Sequence, residues 1–255
     1  MFGICLSTDA KNYTQLAENL DPQTLGQLMN RYYEALFTPV RNNGGVISDV
    51  IGDAMLAIWA AKTTDASLRL RACQTALAIT RSVEHFNSVS GHAPMHTRIG
   101  LHAGQLMLGN IGALDHFEYR AVGDIVNTAS RIEELNKKLG STVLVSEDVI
   151  SGLDGFITRQ LGSFRLAGKQ HPVIIHELLG LEHERTPALS DLCSDFQNAR
   201  QAYESQQWEM AAVLFKTLLQ KYPADAPSQF YYHLVCTHLN APPPAWNPVI
   251  SFKEK

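Results

Sequence analysis

The stretch from Asp21 to Asp53 leaves little choice of architecture. Asp21-Pro22 is a helix cap followed by proline at the first helical position, and Leu25, Leu28, Met29, Tyr32, Leu36 and Val40 then recur at helical spacing up to Asn42-Asn43-Gly44-Gly45. That is an amphipathic helix with one face to bury. Val46 to Val50 and Met55 to Trp59 are apolar and flank Ile51-Gly52-Asp53, which predicts two strands joined by a tight turn that carries an acid. A long one-faced helix running straight into paired strands packs on a sheet, and the rest of the chain repeats the alternation.

Phe2 to Ser7 reads as a short buried strand, broken by the polar stretch Asp9 to Tyr13. Thr64 and Asp65 begin a second helix, with Leu68, Ala72, Ala76, Ile79, Val83 and Phe86 on its buried stripe and an end near Ser90-Gly91. Strands are expected over Thr97 to His102 and Gln105 to Leu108, joined by Ala103-Gly104, followed by a Gly-containing loop and a polar segment from Asp115 to Arg120. Gly123-Asp124 opens a helix through Leu139, closed by Gly140. Thr142 to Val145 is a strand, a short helix follows, and Phe164 to Leu166 with Val173 to His176 reads as a closing hairpin. The expected fold is an α+β sandwich with one sheet. A strand beginning at Phe2 with no lead-in also suggests a chain cut from a longer protein.

Gly180 to Ser190, containing Glu182, Glu184, Arg185 and Pro187, reads as a linker, and composition shifts after it. The expected division is a main domain over 1–180, a linker over 181–190 and a helical extension and tail over 191–255. Within it Ala199, Tyr203, Trp208, Ala212, Phe215, Leu218 and Pro223 resemble one tetratricopeptide-like helical hairpin. A single such unit cannot bury its own apolar face, so it is expected to dock on the larger domain or on another chain, as a structural cap in preference to a peptide-binding unit.

Composition excludes several function classes. Lys plus Arg is 21 and Asp plus Glu is 25, a net charge of -4 that gives no electrostatic footprint for nucleic acid. Cys5, Cys73, Cys193 and Cys236 are scattered without a C-x-x-C pair, so neither a disulfide framework nor a zinc knuckle is indicated, and a reducing, cytoplasmic setting fits. The longest apolar run, Ala54 to Ala61, has eight residues, far below the roughly 18 that cross a bilayer. There is no signal-peptide pattern. His92, His96, His102 and His116 lack a metal spacing and read as packing or surface residues.

Three segments carry the chemistry: Ser7 to Thr14, Gly44-Gly45 through Ile51-Gly52-Asp53, and Val122 to Arg131. Taken singly, an acid after a strand is more often a cap, and a Gly-Asp turn is commonplace. Asn127 and Arg131 are more informative, since their i, i+4 spacing puts both on one face of a helix whose other side is marked for burial by Ile125, Ala129 and Ile132.

In this order the segments resemble the catalytic domain of class III nucleotide cyclases, over about Phe2 to Leu179. The features are the strand-Asp-x-x-x-Tyr-Thr opening, the Gly-Gly hairpin ending in Gly-Asp, Gly100-Leu101-His102-Ala103-Gly104 with Gly109-Asn110-Ile111-Gly112, and the Gly-x-x-Val-Asn-x-Ala-x-Arg helix. The resemblance implies a ferredoxin-like βαββαβ-type core with one mainly antiparallel sheet, plus the small C-terminal helical hairpin. It implies conversion of a nucleoside triphosphate into a 3',5'-cyclic monophosphate and pyrophosphate. Asp9 and Asp53, with the carbonyl of Ala10, would hold two Mg2+ or Mn2+ ions, a hard-oxygen donor set suited to them. Lys11 to Thr14, through Asn12, Tyr13 and Thr14, would cradle phosphate; Asn127 would orient the ribose and Arg131 would neutralise charge at the α-phosphate. Because the family draws the acids from one subunit and the Asn and Arg from the other, a homodimer with two shared sites is implied.

Two positions depart from the adenylate pattern. Where adenylate cyclases usually have a lysine four residues before the second metal acid and an Asp or Thr seven before the helix Asn, this chain has Asp49 and Arg120. An aspartate accepts only and an arginine donates only, so Asp49 suits the N1 and N2 hydrogens of guanine and Arg120 suits its O6 or N7. GTP is therefore favoured over ATP, the other reading being that the two residues simply pair with each other. The family's usual lysine before a C-terminal hairpin glycine is Ala167 here, and Lys169, two residues on, is the substitute candidate for the β- and γ-phosphates. Rivals from other classes are a catalytically silent regulatory module and a helical-repeat adaptor. A diguanylate cyclase is disfavoured, because Val46-Ile47 follows Gly44-Gly45. Relatives with helical extensions are often fused behind membrane-anchored sensors, so the parent protein is expected to include upstream domains.

Overall fold

The structure, a computed structural model, describes residues 1–63, 65–113 and 116–252, and side chains outside 112–119. Thr64 and Asp115, expected at a helix start and in a polar segment, lie outside the described residues, as does the side chain of His116. The chain forms two compact units, one of residues 1–136 and 142–153, the other of residues 137–141 and 154–255.

In the first unit the order is β1 (Phe2–Lys11), α1 (Tyr13–Asn19), α2 (Pro22–Asn42), β2 (Val46–Ile51), β3 (Ala54–Ala61), α3 (Ala66–Ser90), β4 (His96–Gln105), β5 (Met107–Ala113), β6 (His116–Val122), α4 (Asp124–Leu139), β7 (Val143–Ser146) and α5 (Glu147–Ile150). The strands lie in the order β7-β4-β1-β3-β2, with β5 and β6 as a separate antiparallel hairpin. β1 is central, antiparallel to both β3 and β4, whereas β7 joins β4 in parallel. Pairing on both edges satisfies the backbone of β1, and Gly3 to Thr8 are buried without a break.

α2 begins where expected, because the Asp21 carboxylate accepts from the N–H groups of Gln23 and Thr24 at 3.1 and 3.0 Å. Its stripe of Leu28, Met29, Tyr32, Leu36 and Val40 is buried. Asp65 caps α3 in the same way, accepting from Ser67 N–H at 2.8 Å. Ile4, Leu6, Tyr32, Leu36, Ile58, Trp59 and Ile79 are essentially solvent-free. Each such side chain contributes about 1.5–3 kcal/mol.

Three expectations need correction here. β1 does not stop at Ser7 but runs to Lys11, since pairing with β4 as far as Lys11↔His96 satisfies the backbone of its polar end. Ala103-Gly104 is not a turn, because β4 continues through it opposite Ile4 and Gly3. The stretch expected as a Gly-containing loop and polar segment is the β5–β6 hairpin, whose ladder runs from Met107↔Val122 to Ala113↔His116.

The second unit contains β8 (Phe156–Arg165), β9 (Val173–Leu181), α6 (Pro187–Glu204), α7 (Trp208–Lys221), α8 (Ala226–Asn240) and β10 (Ile250–Ser251). β8 and β9 form a longer hairpin than the sequence reading gave, and β10 adds to β8 in parallel. The extension is three helices rather than one hairpin. Thr186 caps α6, which starts with Pro187 inside the expected linker, and Asp225 caps α8 after Pro223. Phe196, Phe215 and Tyr231 form their shared core. Among the described residues no helix is long and apolar enough to cross a membrane. All four cysteines are free thiols.

Candidate active site

The register of β1 with β3 sets Thr8 opposite Met55, which carries the β2–β3 turn to the end of β1. Gly52 turns the chain there at φ 60°, a left-handed conformation that favours glycine. Two hydrogen bonds lock the turn to the strand: Ala10 N–H donates to Asp53 Oδ2 at 2.9 Å, and Met55 N–H donates to Thr8 Oγ1 at 3.1 Å. The Tyr33 hydroxyl donates to the Gly52 carbonyl from α2. Burial, with Tyr13 and Asp53 nearby, raises the pKa of Tyr33, so it remains a protonated donor. Asp9, Ala10 and Asp53 are thus brought together.

Their chemistry fits a hard divalent cation, with two carboxylates and a strand carbonyl at one place. Asp9 is also paired with Arg98, whose Nη1 lies 3.0 Å from Asp9 Oδ2, and the Asp9 side chain remains 27% exposed. Arg98 is the residue sequence reasoning missed. The signal was present: an arginine between the apolar positions of a central strand needs an acid, and the β1–β4 register puts Asp9 directly opposite it.

Asn12 follows at φ 76° and α1 begins at Tyr13, its first internal bond being Leu16 N–H to the Asn12 carbonyl at 3.0 Å. The opening N–H groups of a helix, here from Tyr13 and Thr14 onward, fall outside its own ladder. They therefore follow directly on the acidic strand end.

Asp49 and Arg120 are also neighbours. Asp49 follows a bulge in β2, and Arg120 Nη2 from β6 lies 3.2 Å from Asp49 Oδ2. The Arg120 side chain is 45% exposed and that of Asp49 24%. The two residues expected to read a base pair with each other in the free chain.

Asn127 and Arg131 are placed differently. α4 buries Ile125 and Ala129 against Cys5, Ile58 and Leu106. Its contact with β4 is so close that a Cβ on Gly100 would lie 2.2 Å from Glu133 N and 2.4 Å from the Ala129 carbonyl oxygen, which accounts for that glycine. The opposite side carries Asn127, exposed, and Arg131, half-buried. Among the described residues no hydrogen bond or ion pair joins either to Asp9 or Asp53.

Lys169 belongs to the second unit and sits in the β8–β9 turn, its N–H donating to the Leu166 carbonyl at 3.0 Å. Strand spacing therefore does not govern its direction. The His102 ring packs in β4, with Nδ1 2.8 Å from Ser146 Oγ. Among the described residues no group of three or more His, Cys, Asp or Glu side chains could hold a metal ion.

Residues 4–180 match the adenylate and guanylate cyclase catalytic domain family. Adenylate cyclase 1 of Rhizobium meliloti is 33% identical over 178 residues, which is 68% of this chain and 27% of that protein. The terminal-differentiation-specific adenylate cyclase of Dictyostelium discoideum is 28% identical over 232 residues, 88% of this chain and 11% of its own length. This chain thus spans about a quarter or less of these two relatives. Among solved structures, the adenylyl cyclase CyaB from P. aeruginosa superposes with TM-score 0.64 at 22% identity, over 72% of this chain and 97% of that one. The guanylyl cyclase Cya2 superposes with TM-score 0.63 at 23% identity, over 73% and 95%. At these identities the structural likeness concerns the fold, an α+β arrangement with a large sheet.

Proposed function

The chain belongs to the adenylate and guanylate cyclase family, and from that premise we propose that it converts GTP into 3',5'-cyclic GMP and pyrophosphate. The observation that carries the reading is the 2.9 Å bond from Ala10 N–H to Asp53, which keeps two carboxylates together at the end of β1. In this reading Asp9, Asp53 and the Ala10 carbonyl hold two Mg2+ or Mn2+ ions. Bound there, the ions would lower the pKa of the ribose 3'-hydroxyl and neutralise the triphosphate. The N–H groups from Asn12 to Thr14 receive phosphate oxygens, Asn127 fixes the ribose, and Arg131 donates to oxygens that gain charge at the α-phosphate. Lys169 is the candidate for the β- and γ-phosphates.

The homodimer is part of the same proposal. The side chains of Asn127 and Arg131 make no hydrogen bond or ion pair among the described residues, which suits partners on a second protomer. Met107 and Val122, the paired ends of the β5–β6 hairpin, are 54% and 45% exposed, and a two-fold contact would cover them.

Base choice rests on Asp49 and Arg120. GTP binding exchanges their mutual pair for hydrogen bonds to guanine, and an exposed pair of this kind is worth only about 0–1 kcal/mol. The ATP reading has one observation in its favour, namely that the 3.2 Å pair leaves both residues already satisfied. Product identification with GTP and ATP side by side, in Mg2+ and then Mn2+, separates the readings. We expect kcat/KM for GTP to exceed that for ATP by about tenfold or more, and the exchange Asp49→Lys with Arg120→Asp to shift preference toward ATP. Efficient turnover of ATP alone overturns the base assignment. No metal-dependent pyrophosphate release from either nucleotide leaves the silent regulatory module.

A further inference from the structure

Between β8 and α6, wholly within the second unit, lies a partly enclosed cavity of about 140 Å3. A cavity of about 150 Å3 holds a ligand the size of benzene, so there is room for roughly six heavy atoms. Its lining is rich in hydrogen-bond donors: the guanidinium groups of Arg159 and Arg200, the carboxamides of Gln160 and Gln197, and the Thr158 hydroxyl. Among the described residues no carboxylate lines it.

The acids lie behind the arginines and fix them. Arg159 donates from Nε to Glu177 at 2.7 Å and from both Nη atoms to Asp225 at 3.0 and 2.6 Å, with its carbon 4.8 Å from the centre of the Phe196 ring. Each Nη atom retains a second N–H. Arg200 pairs with Glu204 through Nη1 and donates from Nη2 to Gln160 Oε1 at 3.2 Å, which turns the Gln160 amide hydrogens to other use. Its Nε is buried with no hydrogen-bond partner, although the residue is only 5% exposed. An unmet N–H on a buried cation is costly, and Arg200 is among the residues that line the cavity.

We infer that this cavity is a binding site for a small oxyanion, a phosphate or a short carboxylate, held by Arg200 with Arg159, Thr158 and the two carboxamides. The charges of Arg159 and Arg200 are already matched by Glu177, Asp225 and Glu204, so attraction comes mainly from oriented N–H groups rather than net charge. Affinity should be on the order of millimolar rather than micromolar. This site is independent of the cyclase reading and needs no activity to be tested.

Cys193 lines the cavity and supplies a reporter. Burial raises the Cys193 thiol, so labelling is run at alkaline pH; Cys5 and Cys73, fully buried and pushed up to about 12, stay silent, while Cys236, also partly exposed, serves as the internal control. The full chain is alkylated with iodoacetamide in sodium phosphate, sodium acetate or sodium chloride at matched ionic strength, and the labelled cysteines are mapped by mass spectrometry. We expect phosphate or acetate to slow Cys193 labelling saturably, by about threefold at twice the dissociation constant, with Cys236 unchanged. Protection by phosphate alone identifies a tetrahedral anion, by acetate alone a carboxylate, and by both a general oxyanion site. Arg200→Gln should abolish it. Because that variant also loses an ion pair, Thr158→Leu, which fills the cavity and leaves every ion pair in place, must abolish it too. No saturable protection by either anion, or protection that survives Thr158→Leu, overturns the proposal and leaves a cavity filled with water.

Discussion

Two clusters of acids and arginine, one in each unit, use the same side chains to opposite ends. At the end of β1, Asp9 meets Arg98 and Asp53 accepts from the Ala10 N–H, and the Asp9 carboxylate keeps more than a quarter of its surface in water. In the second unit Arg159 is 3% exposed and holds Glu177 and Asp225 together, at 10% and 9%. The first arrangement stays partly in water, as the proposed cation site requires. The second has withdrawn its charges from solvent, where every member depends on the others. Exposure, rather than residue type, separates a site that can exchange partners from one that fastens elements.

The sharpest way to break this contrast is to neutralise one acid in each cluster and read activity and stability together. Asp53→Asn keeps the size and can still accept from Ala10 N–H. It should lower cyclase activity by about a thousandfold or more, since metal coordination supplies several kcal/mol to the transition state. Its thermal midpoint should stay near that of the parent. If activity falls by less than tenfold, Asp53 does not hold a catalytic metal.

Asp225→Ala should behave in reverse. It strips two hydrogen bonds from Arg159, removes the cap that receives Ser228 N–H at 3.1 Å, and leaves a buried guanidinium short of charge. Loss of one partner from such a pair costs about 3–5 kcal/mol. Burial already pushes the pKa of Glu177 up against the pull of Arg159, so this acid cannot readily carry the whole compensation. Denaturant unfolding measures the effect, and a loss under about 1 kcal/mol would show that the triad is not an anchor.

The two clusters also differ in how legible they were. Asp9 and Asp53 stand at the ends of apolar runs, and Asp53 follows the glycine its turn requires, so local pattern marked their places while the family resemblance singled them out. Arg159, Glu177 and Asp225 are separated by as many as 66 residues, and each alone reads as a surface charge. Only the folding of β8, β9 and α8 makes them one group. The same distinction explains the elements. α2 was readable because its cap, stripe and stop are contiguous, whereas β5 and β6 were hidden by Gly109, Gly112 and a polar sequence whose strand character comes from pairing. β8 was shortened in the reading because Gly162 and a register shift beside it interrupt the alternation. Arg98 was missed for a third reason, its meaning residing in the residue across the ladder.

The smallest effect tests whether burial without pairing behaves as the comparison demands. His238 stacks on Tyr203 and lies against Trp208 and Trp246, and its Nδ1 is buried without a hydrogen-bond partner. Burial lowers its pKa below the ordinary imidazole value of 6.5. A depressed histidine favours folding while neutral, so its contribution is intact above the unfolded value and is lost as pH falls through the lower, folded one. The ring is partly solvated, which reduces the effect to about 1–2 °C in thermal midpoint. His238→Phe retains the stacking and cannot take up a proton, so its midpoint should fall less than the parent's as pH drops below 6.5. Parallel curves for the two proteins would mean that the imidazole is not penalised for charge, and that aromatic packing alone sets its role.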